Sequence, residues 1–310
     1  MTIKSIGTRE VAAALPFWAL INHLGAALTE VAAAPLRLRL SAPTGQELLV
    51  MPAMDDRFAG VKILTVTSGN GAKGLPVIGG HFMLIDTRTG SALALMEADE
   101  LTARRTAAVS ALASRALSRE DASRLLIVGS GHLAPYMAEA HAAVRPISHI
   151  EIWGRTPEKV EATRKNISRR RPDLSVTIAG ALASAVARAD IVSVATRATE
   201  PLLKGAWVSP GTHVDLVGGY RPDMREIDDR GLTQSLVYVD TIEGVLAEAG
   251  DIRSPIERKV VGPDIIAGDI HDLLTGATSH SPDQRTLFKS VGTALADLAA
   301  ATLVWQKLGE

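Results

Sequence analysis

The segment LLIVGSGHLAPYMAEA, residues 125–140, constrains this chain more than any other. The apolar run Leu125 to Val128 predicts a buried parallel strand. It runs directly into Gly129-Ser130-Gly131-His132-Leu133-Ala134, and an alanine-rich helix follows. A dinucleotide cradle needs that order. The first glycine makes a tight turn, and the second lets backbone approach a pyrophosphate. The small third residue lets helix pack on strand, and the helix N-terminus faces the anion. On its own the spacing is weak evidence, because small-residue turns between strands and helices are common.

Context strengthens it. A second strand, His149 to Trp153, ends in Gly154-Arg155-Thr156. That is the place, about 20 residues past the glycines, where such a fold reads the adenosine ribose. A site for NAD usually holds Asp or Glu there to bind the 2′-hydroxyl. Here no carboxylate repels a 2′-phosphate, and the Arg155 guanidinium is available to pair with one. NADPH is therefore expected as cofactor, with NADH the less favoured alternative. The blander alternative makes Arg155 a solvated loop residue.

Around this segment lie 310 residues, enough for two domains, of which 46% are hydrophobic and 22% charged. A net charge of −1 points to neither nucleic acid nor a membrane surface as partner. The absence of cysteine excludes disulfides, thiol nucleophiles and cysteine-bound metals. The apolar stretch Val11 to Ala34 is broken by Pro16, Asn22, His23 and Glu30, so it reads as an amphipathic helix rather than a leader or a span. A cytoplasmic protein is the default expectation.

The pattern changes near residue 118. Before it, Pro35 to Leu40 alternates strictly, with leucines on one face and Arg37 and Arg39 on the other. Strands are expected at Leu48–Met54, Gly60–Thr67, Phe82–Asp86 and Ala92–Met96, with a glycine-rich loop at Gly69–Gly80 and a helix from Leu101 to Leu117. After it, strands at Leu125–Val128, Ile150–Trp153, Val176–Ile178, Ile191–Ala195, His213–Val217 and Leu236–Asp240 alternate with helical segments. That alternation is the signature of an α/β chain with a Rossmann-type doubly wound parallel sheet. Residues 1–118 then form a separate α+β domain, completed by a C-terminal helix over 286–310, and residues 119–285 form the dinucleotide domain. Phe288-Lys289-Ser290-Val291-Gly292, at the start of that last helix, is expected to reach the site.

Three cations stand out by their setting. Lys62 lies in the apolar strand Gly60-Val61-Lys62-Ile63-Leu64, and a buried ammonium needs an anion or a depressed pKa. The alternative is a snorkelling edge lysine. Arg104 and Arg105 follow Thr102, and with Thr102 as N-cap both occupy the first helical turn, where a cation is unfavourable unless an anion shares the site. One of the pair is read as solvated. Arg37 occupies the polar face of its strand. Together Arg37, Lys62 and Arg105 suggest a pocket for a small carboxylate. No pair of His, Asp or Glu has convincing metal-ligand spacing, and no nucleophile elbow is present.

The chain resembles the ornithine cyclodeaminase/mu-crystallin family over nearly its whole length. The anchors are Pro35-x-Arg37, Met51-Pro52-Ala53, Gly60-x-Lys62, Thr102-Ala103-Arg104-Arg105-Thr106-Ala107-Ala108, the glycine turn, Gly154-Arg155-Thr156, Ala189-Asp190-Ile191-Val192, Pro210-Gly211-Thr212-His213, Arg225-Glu226-Ile227-Asp228 and Phe288-Lys289-Ser290-x-Gly292. The resemblance implies a homodimer whose first domain binds substrate and forms the dimer. It implies substrate-carboxylate contacts at Arg37, Lys62 and Arg105, with Tyr220 and Val291 also at the substrate. Cofactor contacts fall on Gly129, Gly131, His132, Leu133, Arg155, Thr156, Thr196 and Ser290.

One departure is informative. Cyclodeaminases and alanine dehydrogenases of the family carry an Asp after a glycine-rich turn, as proton donor and acceptor. Here the turn reads Val217-Gly218-Gly219-Tyr220-Arg221-Pro222. A phenol, with a pKa near ~10, is a poor base at neutral pH. Reduction of a cyclic imine that carries a carboxylate asks less, mainly binding and orientation for hydride transfer. The segment also resembles the family's bacterial ketimine reductases, in which this position is not acidic. The expected activity is therefore NADPH-dependent reduction of Δ1-pyrroline-2-carboxylate or Δ1-piperideine-2-carboxylate to L-proline or L-pipecolate, with Lys62 relaying a proton. The alternatives are an ornithine cyclodeaminase or amino-acid dehydrogenase, and a non-catalytic crystallin-like binding protein.

Overall fold

A computed structural model describes residues 3–30, 32–276 and 280–309. The chain divides into two compact units, Met1–Thr106 with Thr293–Glu310, and Ala107–Gly292. The first unit contributes β1 (Lys4–Ile6), α1 (Thr8–Ala14), α2 (Phe17–Ala27), β2 (Leu38–Ser41), β3 (Glu47–Met54), β4 (Phe58–Val66), β5 (Ile78–Asp86), β6 (Ala92–Glu97) and the start of α3 (Ala98–Leu117). The second contributes β7 (Arg124–Val128), α4 (Ala134–Ala142), β8 (His149–Trp153), α5 (Pro157–Arg170), β9 (Ser175–Ile178), α6 (Leu182–Arg188), β10 (Ile191–Val194) and β11 (His213–Leu216). It continues with α7 (Asp229–Thr233), β12 (Leu236–Val239), α8 (Ile242–Glu248), α9 (Gly250–Glu257), β13 (Ile266–Asp269), α10 (Ile270–Leu274) and β14 (Thr286–Lys289), and α11 (Ala294–Leu308) belongs to the first unit.

The division falls inside α3, after Thr106, rather than after residue 118, and the C-terminal contribution to the first unit begins at Thr293 rather than 286. The single helix expected over 286–310 is a strand followed by a helix. Thr286–Lys289 is fully buried in a sheet, Gly292 takes φ +89, and the Thr293 hydroxyl caps α11 by accepting from the Leu295 amide. Glu310 lies outside the described residues. The amphipathic stretch Val11–Ala34 is likewise two helices, because Leu15 leaves the helical region ahead of Pro16. Val31 of that stretch lies outside the described residues. In α2 the buried side chains are Phe17, Leu20, Ile21 and Leu24, one stripe at helical spacing.

The first unit is built on a six-stranded sheet in the order β1-β6-β5-β4-β3-β2, antiparallel except for the β1–β6 pair. Its register aligns Met51, Lys62, Phe82 and Met96 across four strands. These four are buried, and α11 packs on β3, β4 and β5 and against α2. The opposite face carries Leu38, Val50, Ile63 and His81 in the next row. Leu38 is 53% exposed there and Leu40 52%. The alternation of Pro35 to Leu40 therefore has its polarity reversed: the leucines lie on the uncovered face and the arginines on the partly buried one.

The second unit holds an all-parallel eight-stranded sheet in the order β13-β12-β14-β11-β10-β7-β8-β9. Successive residues of each strand feed opposite faces, as the pleat requires. Leu125, Ile127, Ile150 and Ile152 pack with residues of α4 and α5, while Leu126, Val128, Val192 and Val194 pack with residues of α6, α8 and α9. Chain order reverses at the neighbours β7 and β10, the switch point where open sheets of this class place their ligands. Among the described residues no helix is long and apolar enough to cross a membrane.

Candidate active site

In the first unit a charge cluster forms around a residue that sequence reasoning missed, Asp297. It lies on α11 with no exposure. Its Oδ2 is 2.6 Å from Lys62 Nζ, and its Oδ1 accepts a hydrogen bond of 2.7 Å from Arg105 Nε. Lys62 is 1% exposed and Arg105 5%. The lysine is thus a core residue rather than a snorkelling one, and the anion it requires is supplied by the fold. Asp297 had a signal in the sequence, as the lone acid in the apolar run from Ala294 to Val304.

Electrostatics within the cluster oppose one another. Burial, then the Arg105 charge, push the Lys62 ammonium down to about 7, against the pull of Asp297. Burial works to raise the Asp297 carboxyl, but Arg105 and Lys62 outweigh it and hold it below the ordinary carboxylate range. Arg37 is half-buried and also acts on Lys62. One step beyond the Leu38–Val50 pair, the register sets Arg37 opposite Met51, the neighbour of Lys62. Arg105 and a protonated Lys62 together exceed the Asp297 carboxylate by one positive charge. That excess suits one further carboxylate.

Thr102 is not the N-cap of the helix that carries Arg104 and Arg105. The helix starts at Ala98, so Thr102 lies inside it and the arginines lie beyond its first turn. Nor is either solvated: Arg104 pairs with Glu100 at 2.6 Å, donates to the Leu15 carbonyl at 3.0 Å and stacks on Phe17.

In the second unit the glycine turn follows β7. Gly129 takes φ +122, and a Cβ there would come within 2.5 Å of the Ala195 carbonyl oxygen, so only glycine fits. Its amide donates to the Trp153 carbonyl at 2.8 Å, tying the turn to the end of β8. A Cβ on Gly131 would meet nothing within 4 Å, which leaves its backbone open to a ligand. Leu133 precedes α4, whose first turn contains Pro135. His132 is exposed, with its ring 5.2 Å from that of Tyr136. A cavity of about 490 Å³ beside the turn is lined by Ser130, Gly131 and His132, together with Lys159 and Arg169 of α5. These features fit the pyrophosphate of a dinucleotide.

Arg155 and Thr156 are exposed where β8 passes into α5, and Thr156 is an N-cap whose side chain makes no capping bond. Thr196 and Tyr220 follow β10 and β11. Thr196 is half-buried, and Tyr220 packs on the apolar core of this unit. Ser290 and Val291, just past β14, are buried, with their amides donating to the Leu216 carbonyl and to Asp240. Of the expected residues, Arg37, Lys62 and Arg105 therefore belong to the first unit and all the others to the second. Among the described residues one group has cation-ligand geometry, Asp269, His271 and Asp272. The Asp269 carboxylate there accepts the His271 and Asp272 amides and serves as the cap of α10.

Residues 8–310 match the ornithine cyclodeaminase/mu-crystallin family. A Delta(1)-pyrroline-2-carboxylate reductase of Paracoccus denitrificans is 36% identical over 268 residues, which cover 86% of this chain and 84% of that protein. The structure of Thermococcus litoralis Delta(1)-pyrroline-2-carboxylate reductase with NADH and L-proline superposes with a TM-score of 0.94 at 30% identity, covering 98% of this chain and 97% of that one. An archaeal alanine dehydrogenase dimer with bound NAD superposes at 0.92 and 26% identity, covering 100% and 98%.

Proposed function

The chain belongs to the ornithine cyclodeaminase/mu-crystallin family, and from that premise we propose that it is a nicotinamide-dependent reductase of cyclic ketimine carboxylates. The substrates are Δ1-pyrroline-2-carboxylate and Δ1-piperideine-2-carboxylate, and the products L-proline and L-pipecolate. The observation that carries this reading is the buried cluster of Lys62 and Arg105 on Asp297, with the Arg37 charge acting on Lys62. It supports capture of one carboxylate. The relatives named as Delta(1)-pyrroline-2-carboxylate reductases supply the substrate class.

In this mechanism Arg37 and Arg105 hold the substrate carboxylate. Lys62, pushed to about 7, is protonated often enough at neutral pH to donate to the imine nitrogen. The nicotinamide, when bound, supplies the hydride for C2. The substrate C=N bond thereby gains one proton on nitrogen and one hydride on carbon, and Lys62 is left neutral until solvent reprotonates it. Gly129 and Gly131 cradle the pyrophosphate. Arg155 and Thr156 bind a 2′-phosphate, which favours NADPH over NADH, and His132, Leu133, Thr196 and Ser290 complete the cofactor contacts. Tyr220 in place of an acid disfavours amine cyclisation, and with Val291 it offers the substrate ring an apolar wall.

A second copy of the chain covers the open face of the first unit's sheet, where Leu38, Leu40 and Ile63 are exposed. The alanine dehydrogenase neighbour is described as a dimer. The reading is tested by offering the purified protein NADPH or NADH with each cyclic imine, with ornithine, and with pyruvate plus ammonia. Cofactor oxidation with the cyclic imines is expected. Ammonia release from ornithine, or turnover of pyruvate and ammonia alone, overturns it.

A further inference from the structure

A second buried charge cluster lies in the second unit, at the carboxyl ends of the parallel strands. Glu226 has no exposure, yet its carboxylate accepts four hydrogen bonds. Oε1 takes the Thr196 amide at 2.7 Å and the Thr196 hydroxyl at 2.8 Å. Oε2 takes the Gly218 amide at 2.8 Å and the Gly219 amide at 3.3 Å. One side chain thus joins the loop after β10 to the loop after β11.

The two glycines are shaped to this contact. A Cβ on Gly218 would overlap the Thr196 backbone, and one on Gly219 would come within 2.9 Å of Asp251 Oδ2. Asp251 and Lys289, also fully buried, hold Glu226 from behind. Asp251 Oδ1 accepts the Glu226 amide at 2.7 Å and the Ile227 amide at 3.1 Å, and its Oδ2 lies 3.3 Å from Lys289 Nζ. Lys289 Nζ is 3.9 Å from Glu226 Oε2.

In a sheet of this order the glycine turn after β7, with β8 and β9, serves the adenosine half of a dinucleotide. The loops after β10 and β11 serve the nicotinamide half. We propose that Glu226 is the positioning residue for the nicotinamide half: its carboxylate fixes the loops at Thr196 and Gly218–Gly219, and Lys289 and Asp251 fix the carboxylate. The proposal rests on the dinucleotide reading above and says nothing about the imine substrate.

Four donors on two oxygens demand the ionised carboxylate, because a protonated one brings a donor of its own into a ring of donors. Burial pushes the Glu226 carboxyl up to about 7, with the Asp251 charge acting in the same direction and Lys289 opposing. Those are the charged groups that α9 and β14 present to it. Order in these loops is therefore lost as pH falls through that value, and nicotinamide binding with it.

The test is equilibrium binding of NADH and of ADP, which lacks the nicotinamide half, without imine substrate. In Glu226→Gln the NADH dissociation constant is expected to rise about tenfold or more, the worth of a hydrogen bond to a charged group, with ADP changed less than about twofold. In the wild type NADH binding should weaken toward acid pH while ADP binding stays level. Asp251→Asn keeps an oxygen for the Glu226 and Ile227 amides but removes the charge, so the weakening should move to lower pH. This second variant carries the test if Glu226→Gln does not fold. Parallel loss of ADP and NADH in folded Glu226→Gln, or an unmoved pH profile in Asp251→Asn, overturns the proposal. Failure of the wild type to bind either nucleotide overturns the dinucleotide reading instead.

Discussion

Asp297 Oδ2 lies 2.6 Å from Lys62 Nζ, and both side chains are buried. The same carboxylate holds Arg105, so its loss strands two cations in the core. Breaking a buried pair by removing one partner costs about 3–5 kcal/mol. Asp297→Asn is expected to lose stability on that scale in chemical denaturation. A loss below about 1 kcal/mol would mean that water or relaxation satisfies the cations.

The depressed Lys62 ammonium sets a pH dependence. Its charged form dominates below about 7 and is lost above. If it donates to the imine, kcat/KM should fall by about tenfold per unit on the alkaline side. Lys62→Arg keeps a charge that does not titrate in this range, so its falling limb should vanish while kcat drops. An identical limb in both enzymes would rule out Lys62 as donor.

Arg155→Ala tests the cofactor preference. The KM for NADPH should rise about tenfold or more, the scale of a charge-assisted contact to phosphate, with the KM for NADH nearly unchanged. Equal effects on the two cofactors would remove the argument for a 2′-phosphate site.

Tyr220→Phe removes a hydroxyl from a side chain that packs on the core of the second unit. If that side chain supplies shape rather than proton transfer, kcat/KM for the cyclic imines should change by less than about threefold. A drop of two orders of magnitude would make the phenol a participant.

The exposed leucines of β2 predict self-association. Leu38→Glu with Leu40→Glu should shift the protein toward monomer in sedimentation at constant loading, since each buried leucine is worth about 1.5–3 kcal/mol. Unchanged sedimentation would place the interface elsewhere.

What could be read from the residues follows a physical pattern. β7 and β8 each end in a glycine-containing turn, and both were legible from the apolar run and its stop. β14 was not. Four consecutive buried residues carry no periodicity, and the apolar run of α11 begins just beyond, so strand and helix merged into one expected helix. The oddity of Lys62 was also legible, as a cation in an apolar strand. Its partner was not, because Asp297 lies in the last helix and nothing local links the two. Thr102 misled for a related reason: it is a good capping residue inside a helix whose start at Ala98 is marked by no cap of its own kind.

The position of β14 carries a consequence for how the chain is made. It is no edge strand: it lies between β11 and β12, in the interior of the second unit's sheet. The helix that follows it brings Asp297 to the first unit. A ribosome that has reached residue 285 has therefore finished neither unit. One sheet still has a gap in its middle, and the other unit's buried cations still lack their acid. Pairing so distant in sequence is slow to close. Folding of both units waits on residues 286–308, and a chain stopped before them should be cleared rather than retained as a half-active remnant.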